Sequence, residues 1–86
     1  MMLDKKTILA EQSRAARALL NWSRNDLSAR CGVSMASLAD FEAGKRTPYD
    51  RTLADIRKTF EDAGVIFIAE NGEGPGVRLR KTTAAE

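Results

Sequence analysis

The sequence predicts a small, mainly α-helical domain in which four helices are followed by a short β-hairpin. Three observations support this fold class. Apolar residues recur at helical spacing in four segments, which glycine, serine or proline residues separate from one another. Near the end of the chain, two short runs with strand character flank a glycine-rich loop that opens with Asn-Gly. The length of 86 residues suits one domain with a small core.

The first two helices are predicted from apolar spacing and from capping residues. Helix one is expected over residues 7–20, and its apolar positions are Ile8, Ala15, Ala16, Leu19 and Leu20. Ser23 is a good N-cap for helix two, because its hydroxyl can accept a hydrogen bond from a free backbone amide. Asp26 follows three residues later and completes a short capping box. Helix two is expected to end near Cys31.

Helix three follows helix two after a tight turn. Gly32 can adopt the left-handed conformation that ends a helix, and Ser34 is again a good N-cap. Helix three therefore begins at about Ser34 and stops at Gly44. Leu38 and Phe41, three residues apart, form its inward stripe.

Helix four and the segments after it complete the predicted domain. Helix four is expected over residues 50–63, and Gly64 ends it. Strands are expected at residues 65–68 and 77–80, joined by the glycine-rich loop. The domain prediction assigns residues 1–63 to the helical unit, residues 64–80 to a hairpin extension of the same domain, and residues 81–86 to a disordered tail.

The first strand of the hairpin is too apolar to lie at an exposed sheet edge, so something must cover it. A second copy of the chain is the simplest cover, and we predict self-association through Val65, Phe67 and Ile68. The alternative is that the hairpin folds back on its own core, with Phe67 buried against helices one and four. The sequence leaves both arrangements open.

The composition argues against an enzyme, a metal site and a membrane protein. The chain has no histidine and a single cysteine, so it lacks histidine-dependent nucleophiles and a zinc cluster. We predict no catalytic residue, no cofactor and no metal, and we interpret Cys31 as a small buried hydrophobic residue. The longest apolar run, residues 65–69, is far shorter than the roughly 20 residues of a membrane span, and no signal peptide is recognisable. A cytoplasmic location is expected.

The charge is unevenly distributed along the chain. The formal net charge is +2, but residues 1–48 hold eight Lys and Arg against five acids. A mildly basic first half is the charge distribution expected of a protein that binds nucleic acid weakly. Arg14, Arg17 and Arg57 are interpreted as solvated helix surface, and only a cluster in three dimensions would give them a role in function.

Helices two and three carry the most informative pattern of the sequence. Two short helices, each begun by a capping serine, are joined by a tight turn at Gly32, as in a helix-turn-helix. Residues 22–48, WSRNDLSARCGVSMASLADFEAGKRTP, strongly resemble the Cro and Xre family of DNA-binding domains, and the resemblance extends over roughly residues 12–63. The residues that carry it are Gly32, Val33, Ser34, Leu38, Phe41, Glu42, Gly44, Arg46 and Pro48.

The resemblance implies a repressor-like helix-turn-helix bundle that binds operator DNA, often as a dimer, through a recognition helix at about residues 34–43. The residues expected at the binding face are Arg24, Ser34, Met35, Ala36, Ser37, Ala39, Asp40, Lys45 and Arg46. This recognition helix is degenerate, because Met35, Ala36 and Asp40 stand where family members commonly read bases with amide or basic side chains. Met35 and Ala36 can contact thymine methyl groups, whereas Asp40 would be repelled by phosphates.

Two functions follow from this face. The first is a transcription regulator that binds operator DNA, with candidate phosphate contacts at Arg24, Arg30, Lys45, Arg46 and Arg51. The alternative is an antiactivator of the same fold that captures another transcription regulator, because the face is apolar and acidic. Glu42 is interpreted as structural, and Trp22 as an aromatic residue that anchors the start of helix two to the core.

Overall fold

Four helices and a two-stranded antiparallel sheet follow one another in the computed structural model, which describes residues 7–81. The helices are α1 (Ala10–Leu20), α2 (Arg24–Cys31), α3 (Met35–Glu42) and α4 (Asp50–Asp62), and the strands are β1 (Val65–Ile68) and β2 (Gly76–Leu79). The predicted fold class is confirmed. The bounds differ from the predicted ones by up to three residues, the largest difference being the start of α1.

A single hydrophobic core joins the four helices and β1. Its buried members are Ile8, Ala16, Leu27, Leu38, Phe41, Leu53, Ile56, Phe60 and Val65. Phe60 is fully buried and contacts two further aromatic rings: Trp22 stacks on it at a centroid distance of 5.8 Å, and Phe67 lies tilted at 6.0 Å. Burial of each large apolar side chain stabilises the fold by about 1.5–3 kcal/mol. Trp22 packs against the core, as predicted from its position before α2.

The buried face of α1 differs from the predicted one. Gln12 and Ser13 are buried together with Ala16, whereas Ala15 and Leu19, which were expected inside, are exposed. The apolar spacing was misleading because α1 contacts its neighbours through hydrogen bonds as well as through apolar contacts. Every buried side-chain nitrogen and oxygen in residues 7–81 has a partner, so the two polar residues are buried without an unsatisfied group.

Gln12 connects α1 to the loop end of the hairpin. Its Nε2 donates to the carbonyl oxygens of Ile68 at 3.4 Å and Gly76 at 3.0 Å, two residues that face each other in the sheet. Its Oε1 accepts from the backbone amide of Leu9 at 2.9 Å, just before the first turn of α1. One side chain therefore fixes both the start of α1 and the position of the hairpin.

The hairpin folds back on the core of its own chain. Val65 is 1% exposed, and Phe67 packs against Phe60 while the guanidinium of Arg57 lies 5.1 Å from the centre of its ring. Val65 is therefore not available for a contact between two copies, contrary to the prediction, because α1 and α4 already cover this face. Ile68 points to the opposite face of the strand, since side chains alternate, and a contact between copies through Ile68 stays a prediction.

The predicted tail at residues 81–86 lies outside the described residues except for Lys81, and so do the first six residues of the predicted helical unit. Within residues 7–81, none of the helices combines the length and the apolar character that crossing a membrane requires.

Candidate nucleic-acid interface

The turn between α2 and α3 is held by one glycine and one serine. Gly32 has a φ of +77°, a left-handed conformation that most residues avoid, and its amide donates to the carbonyl of Ser28 at 3.0 Å. The hydroxyl of Ser28 donates to the carbonyl of Val33 at 2.6 Å. Ser28 therefore bonds to both sides of the turn, which fixes the angle between the two helices.

Both helices begin at the predicted capping serines. Ser23 Oγ accepts from the amide of Asp26 at 3.0 Å, and the Asp26 carboxylate accepts from the amide of Ser23 at 2.9 Å, which forms the predicted capping box. Ser34 Oγ accepts from the amide of Ser37 at 3.1 Å and also lies 3.0 Å from Ser37 Oγ. These caps satisfy amides that a helix start otherwise leaves free.

The first turn of α3 faces solvent. Met35, Ala36 and Ser37 are exposed, and Met35 is 44% exposed although it is a large apolar residue. Leu38 and Phe41, which come later in the helix, are buried in the core, and this fixes the rotation of the helix. The recognition face, defined here as residues 35–37 together with Ala39 and Asp40, is therefore most accessible at its N-terminal end, because the last two residues are only half-exposed.

The loop after α3 is fastened to the end of that helix. The carbonyl of Asp40 accepts from the amides of Lys45 at 2.8 Å and Arg46 at 3.3 Å, while both basic side chains are exposed. The Asp40 carboxylate has no ion-pair partner among residues 7–81. The structure thus brings two of the predicted phosphate-binding residues next to the recognition face and leaves one negative charge on that face.

A buried ion pair lies behind the recognition face. The Glu42 side chain is fully buried, and it accepts from Ser13 Oγ at 2.5 Å and from Arg17 Nε and Nη2 at 3.1 and 2.8 Å. Arg17 also donates to the carbonyl of Trp22 at 3.2 Å, so it joins α1, α3 and the turn before α2. Glu42 is structural, as predicted, but the interpretation of Arg17 as solvated surface is wrong, because a buried carboxylate requires a cation beside it.

The sequence contains a signal for this pair that hydrophobic periodicity does not reveal. Glu42 falls next to Phe41 on the inward side of a short helix, where an acid is expected only if it has a partner. A basic residue on the adjoining α1 was the natural candidate. Residue spacing within α1 does not decide whether Arg14 or Arg17 faces Glu42, because the packing angle between two helices depends on both helices together.

The other predicted phosphate contacts are distributed over two regions. Arg24 is 41% exposed at the first position of α2, and its Nη1 lies 3.6 Å from Glu42 Oε1. Arg51 is exposed in the first turn of α4, near the loop after α3. Arg30 lies elsewhere: its guanidinium covers the ring of Trp22 at 4.5 Å, in a groove lined also by Thr59, Asp62 and Ala63.

The position of Arg30 separates it from the basic loop after α3. The groove lies at the C-terminal end of α4, about 18 Å along that helix from its first residue, at a rise of about 1.5 Å per residue. The loop that carries Lys45 and Arg46 immediately precedes the opposite end of α4. Arg30 therefore lies away from Lys45 and Arg46, and its role as a phosphate contact stays a prediction.

Cys31 is half-buried at the end of α2 and packs against the core, as its interpretation as a hydrophobic residue requires. Burial raises the pKa of its thiol above the ordinary value, which favours the protonated form over the nucleophilic thiolate. No group of three His, Cys, Asp or Glu residues within residues 7–81 is arranged to hold a metal ion.

Two capped helices joined by a tight glycine turn, with an exposed second helix and a basic loop after it, define a helix-turn-helix protein. A family model described as helix-turn-helix matches residues 14–61, which is more than half of the chain. The chain therefore belongs to the helix-turn-helix family of the Cro type, and the predicted resemblance is confirmed. No curated protein sequence matches the chain. The family is one of DNA-binding transcription regulators and not of enzymes.

Proposed function

We propose that this chain is a transcription regulator that binds operator DNA with the first turn of α3 in the major groove. The observation that carries the proposal is the combination of the exposed turn at residues 35–37 with a basic loop, Lys45 and Arg46, bonded to the end of the same helix. A recognition helix in the groove needs cations beside it to contact the phosphates on either side. The fold supplies both at fixed relative positions.

The recognition face reads bases mainly through apolar contacts. Met35 and Ala36 offer methyl and methylene groups to thymine methyl groups, and the Ser37 hydroxyl offers one hydrogen bond to a base edge. The half-exposed Asp40 can accept from the amino group of cytosine but repels nearby phosphates. Sequence discrimination through this face is therefore modest and favours thymine at the positions under the first turn.

The affinity comes mainly from the phosphate backbone. Arg24, Lys45, Arg46 and Arg51 are exposed or partly exposed around the recognition face, and each can neutralise one phosphate. Four contacts would give a slope of about −3.6 in a plot of log K against log salt concentration, at about −0.9 per contact. Binding should therefore weaken steeply as salt is raised.

The experiment measures the affinity of duplex DNA by fluorescence anisotropy at several salt concentrations. The double variant Arg24→Gln and Arg46→Gln should bind every duplex more weakly and lower the slope by about 1.8, because two counterion-releasing contacts are lost. Lys58→Gln is the matched control, since Lys58 is exposed on α4 in a pair with Asp62. Unchanged binding by the double variant, or no binding by the wild type at low salt, would count against operator binding.

The second candidate is an antiactivator that uses the same face to capture another transcription regulator. The exposure of Met35 beside Ala36 favours it, because a protein partner could bury this apolar surface while DNA offers few apolar groups. Met35→Lys would then place an unpaired charge in the contact and abolish the complex, whereas the added cation would strengthen DNA binding. Loss of regulation in cells together with tighter DNA binding in vitro would favour the antiactivator.

We propose further that residues 1–80 act as one domain in the cytoplasm. The support for a single domain is the contact of the hairpin with α1 and α4, together with the bonds from Gln12 to Ile68 and Gly76. A lone, half-buried thiol is compatible with a reducing compartment, where operator DNA is also found. Two copies of the domain could bind two half-sites spaced one helical turn, about 34–36 Å, apart.

A further inference from the structure

Three arginines from two helices meet at Glu42, the last residue of α3. Arg17 and Arg24 both approach its carboxylate, with distances of 2.8 and 3.6 Å to the same oxygen, Oε1. Arg14 Nη1 donates to the backbone carbonyl of Glu42. These residues form a cluster in three dimensions, although Arg14 and Arg17 were interpreted as solvated surface, and we call Arg14, Arg17 and Arg24 the arginine cluster.

The arginine cluster carries more positive charge than Glu42 compensates. Arg17 binds the carboxylate with two nitrogens and neutralises it. Arg24 lies at the longer distance, is 41% exposed, and donates no hydrogen bond within residues 7–81. Arg14 is exposed and forms no ion pair in that part of the chain. Two guanidinium groups therefore remain available to an anion.

The arginine cluster continues into the basic loop after α3. Arg14 bonds to the carbonyl of Glu42, and the amides of Lys45 and Arg46 bond to the carbonyl of Asp40, two residues earlier. All three basic residues are thus anchored to the C-terminal end of the recognition helix. A guanidinium has five N–H donors, and the contact to Glu42 uses one nitrogen of Arg14.

We propose that Arg14 is a further phosphate-contacting residue, which extends the DNA interface from the loop after α3 onto α1. Its ligand is a phosphodiester of the DNA backbone beside the groove occupied by α3, so the inference rests on the proposed operator binding. Glu42 is the positioning residue: its carbonyl orients Arg14, and its carboxylate holds Arg17 and approaches Arg24. Arg14 contributes affinity for every sequence and no discrimination between bases.

The test compares the salt dependence of duplex binding in wild type, Arg14→Gln and Lys58→Gln. Arg14→Gln should lower the slope of log K against log salt by about 0.9, the value for one lost phosphate contact, and should weaken all duplexes alike. Lys58→Gln removes the same charge from an exposed pair on α4 and should leave the slope unchanged. Far-UV circular dichroism at the assay temperature verifies that each variant is folded, and Arg14→Met serves as a second uncharged variant.

A purely structural role for Arg14 predicts a different result. If Arg14 only caps the end of α3, Arg14→Gln and Arg14→Met would lower thermal stability but keep the wild-type salt slope, and this outcome would overturn the inference alone. Absence of DNA binding by the wild-type protein at low salt would overturn operator binding and the inference together. The result expected of a phosphate contact is a wild-type slope in Arg14→Lys together with a slope lowered by about 0.9 in both uncharged variants.

Discussion

Replacement of Arg17 by methionine tests the buried ion pair that holds α1 against α3. Arg17→Met keeps a long side chain but removes the three hydrogen bonds that the guanidinium makes to Glu42 and to the carbonyl of Trp22. The Glu42 carboxylate would then be fully buried with Ser13 and the more distant Arg24 as its remaining partners. A buried carboxylate without a close cation is strongly destabilising.

The expected loss is about 3–5 kcal/mol, the usual cost when one partner of a buried ion pair is removed. It is a large part of the roughly 4–13 kcal/mol by which domains of this length are typically stable, at about 0.05–0.15 kcal/mol per residue. The double variant Arg17→Met and Glu42→Leu should recover most of the loss, because an apolar pair of similar size can replace a buried ion pair. Lys58→Gln, in an exposed pair, should change stability by less than about 0.5 kcal/mol.

Urea unfolding followed by the fluorescence of Trp22 measures these effects. Trp22 is the single tryptophan and stacks on the buried Phe60, so its emission reports on the core. Arg17→Met should unfold at a lower urea concentration than the wild type, while the dependence of its free energy of unfolding on urea concentration stays unchanged. The double variant should recover most of the wild-type midpoint. A loss below about 1 kcal/mol in the single variant, or an additive loss in the double variant, would refute the reasoning.

Three further substitutions and one labelling experiment have specific expected outcomes. Gln12→Ala removes three hydrogen bonds and should lower stability by about 1–3 kcal/mol, with faster amide exchange in β1 and β2; equal exchange in both proteins would contradict the role of Gln12. Gly32→Ala should lower the free energy of unfolding by about 1–2 kcal/mol, which thermal unfolding would measure. The loss comes from the left-handed backbone alone, because nothing lies within 4 Å of an added Cβ. Cys31 should react with a thiol reagent more slowly in the folded protein than in urea. Because burial penalises the thiolate, stability should be full below the pKa of the unfolded thiol and should fall as pH rises through the higher folded value. Ile68→Asp should dissociate a dimer in sedimentation at high concentration, whereas a wild-type monomer would remove the predicted self-association.

The sequence was sufficient for the order and type of all six elements. Ser23, Ser34 and Gly32 act locally, through bonds to backbone groups within a few residues, so their roles could be predicted without knowledge of the tertiary fold. The exposure of Met35 was expected from its place in the first turn of α3, where the recognition helix begins. Each of these predictions depends on a single element and its immediate neighbours.

The predictions that failed depend on contacts between distant elements. The burial of Gln12 requires the hairpin, which lies more than 50 residues away in sequence, and the burial of Arg17 requires Glu42 on α3. The contact of Arg30 with the ring of Trp22 was likewise not predicted, although its role as a phosphate contact stays a prediction. Polar pairs of this kind leave little periodic signal, because one hydrogen-bonding residue can replace an apolar one at an inward position.

The central claim is that the first turn of α3 reads operator DNA, and selection from a random duplex library tests it most directly. After several rounds at physiological salt, the account predicts one enriched sequence with thymine at fixed positions, and a loss of preference at those positions in the variant Met35→Ala. The same variant should keep its salt slope, since Met35 contacts no phosphate. A library that remains random, with wild-type protein that binds no duplex even at low salt, would contradict the claim.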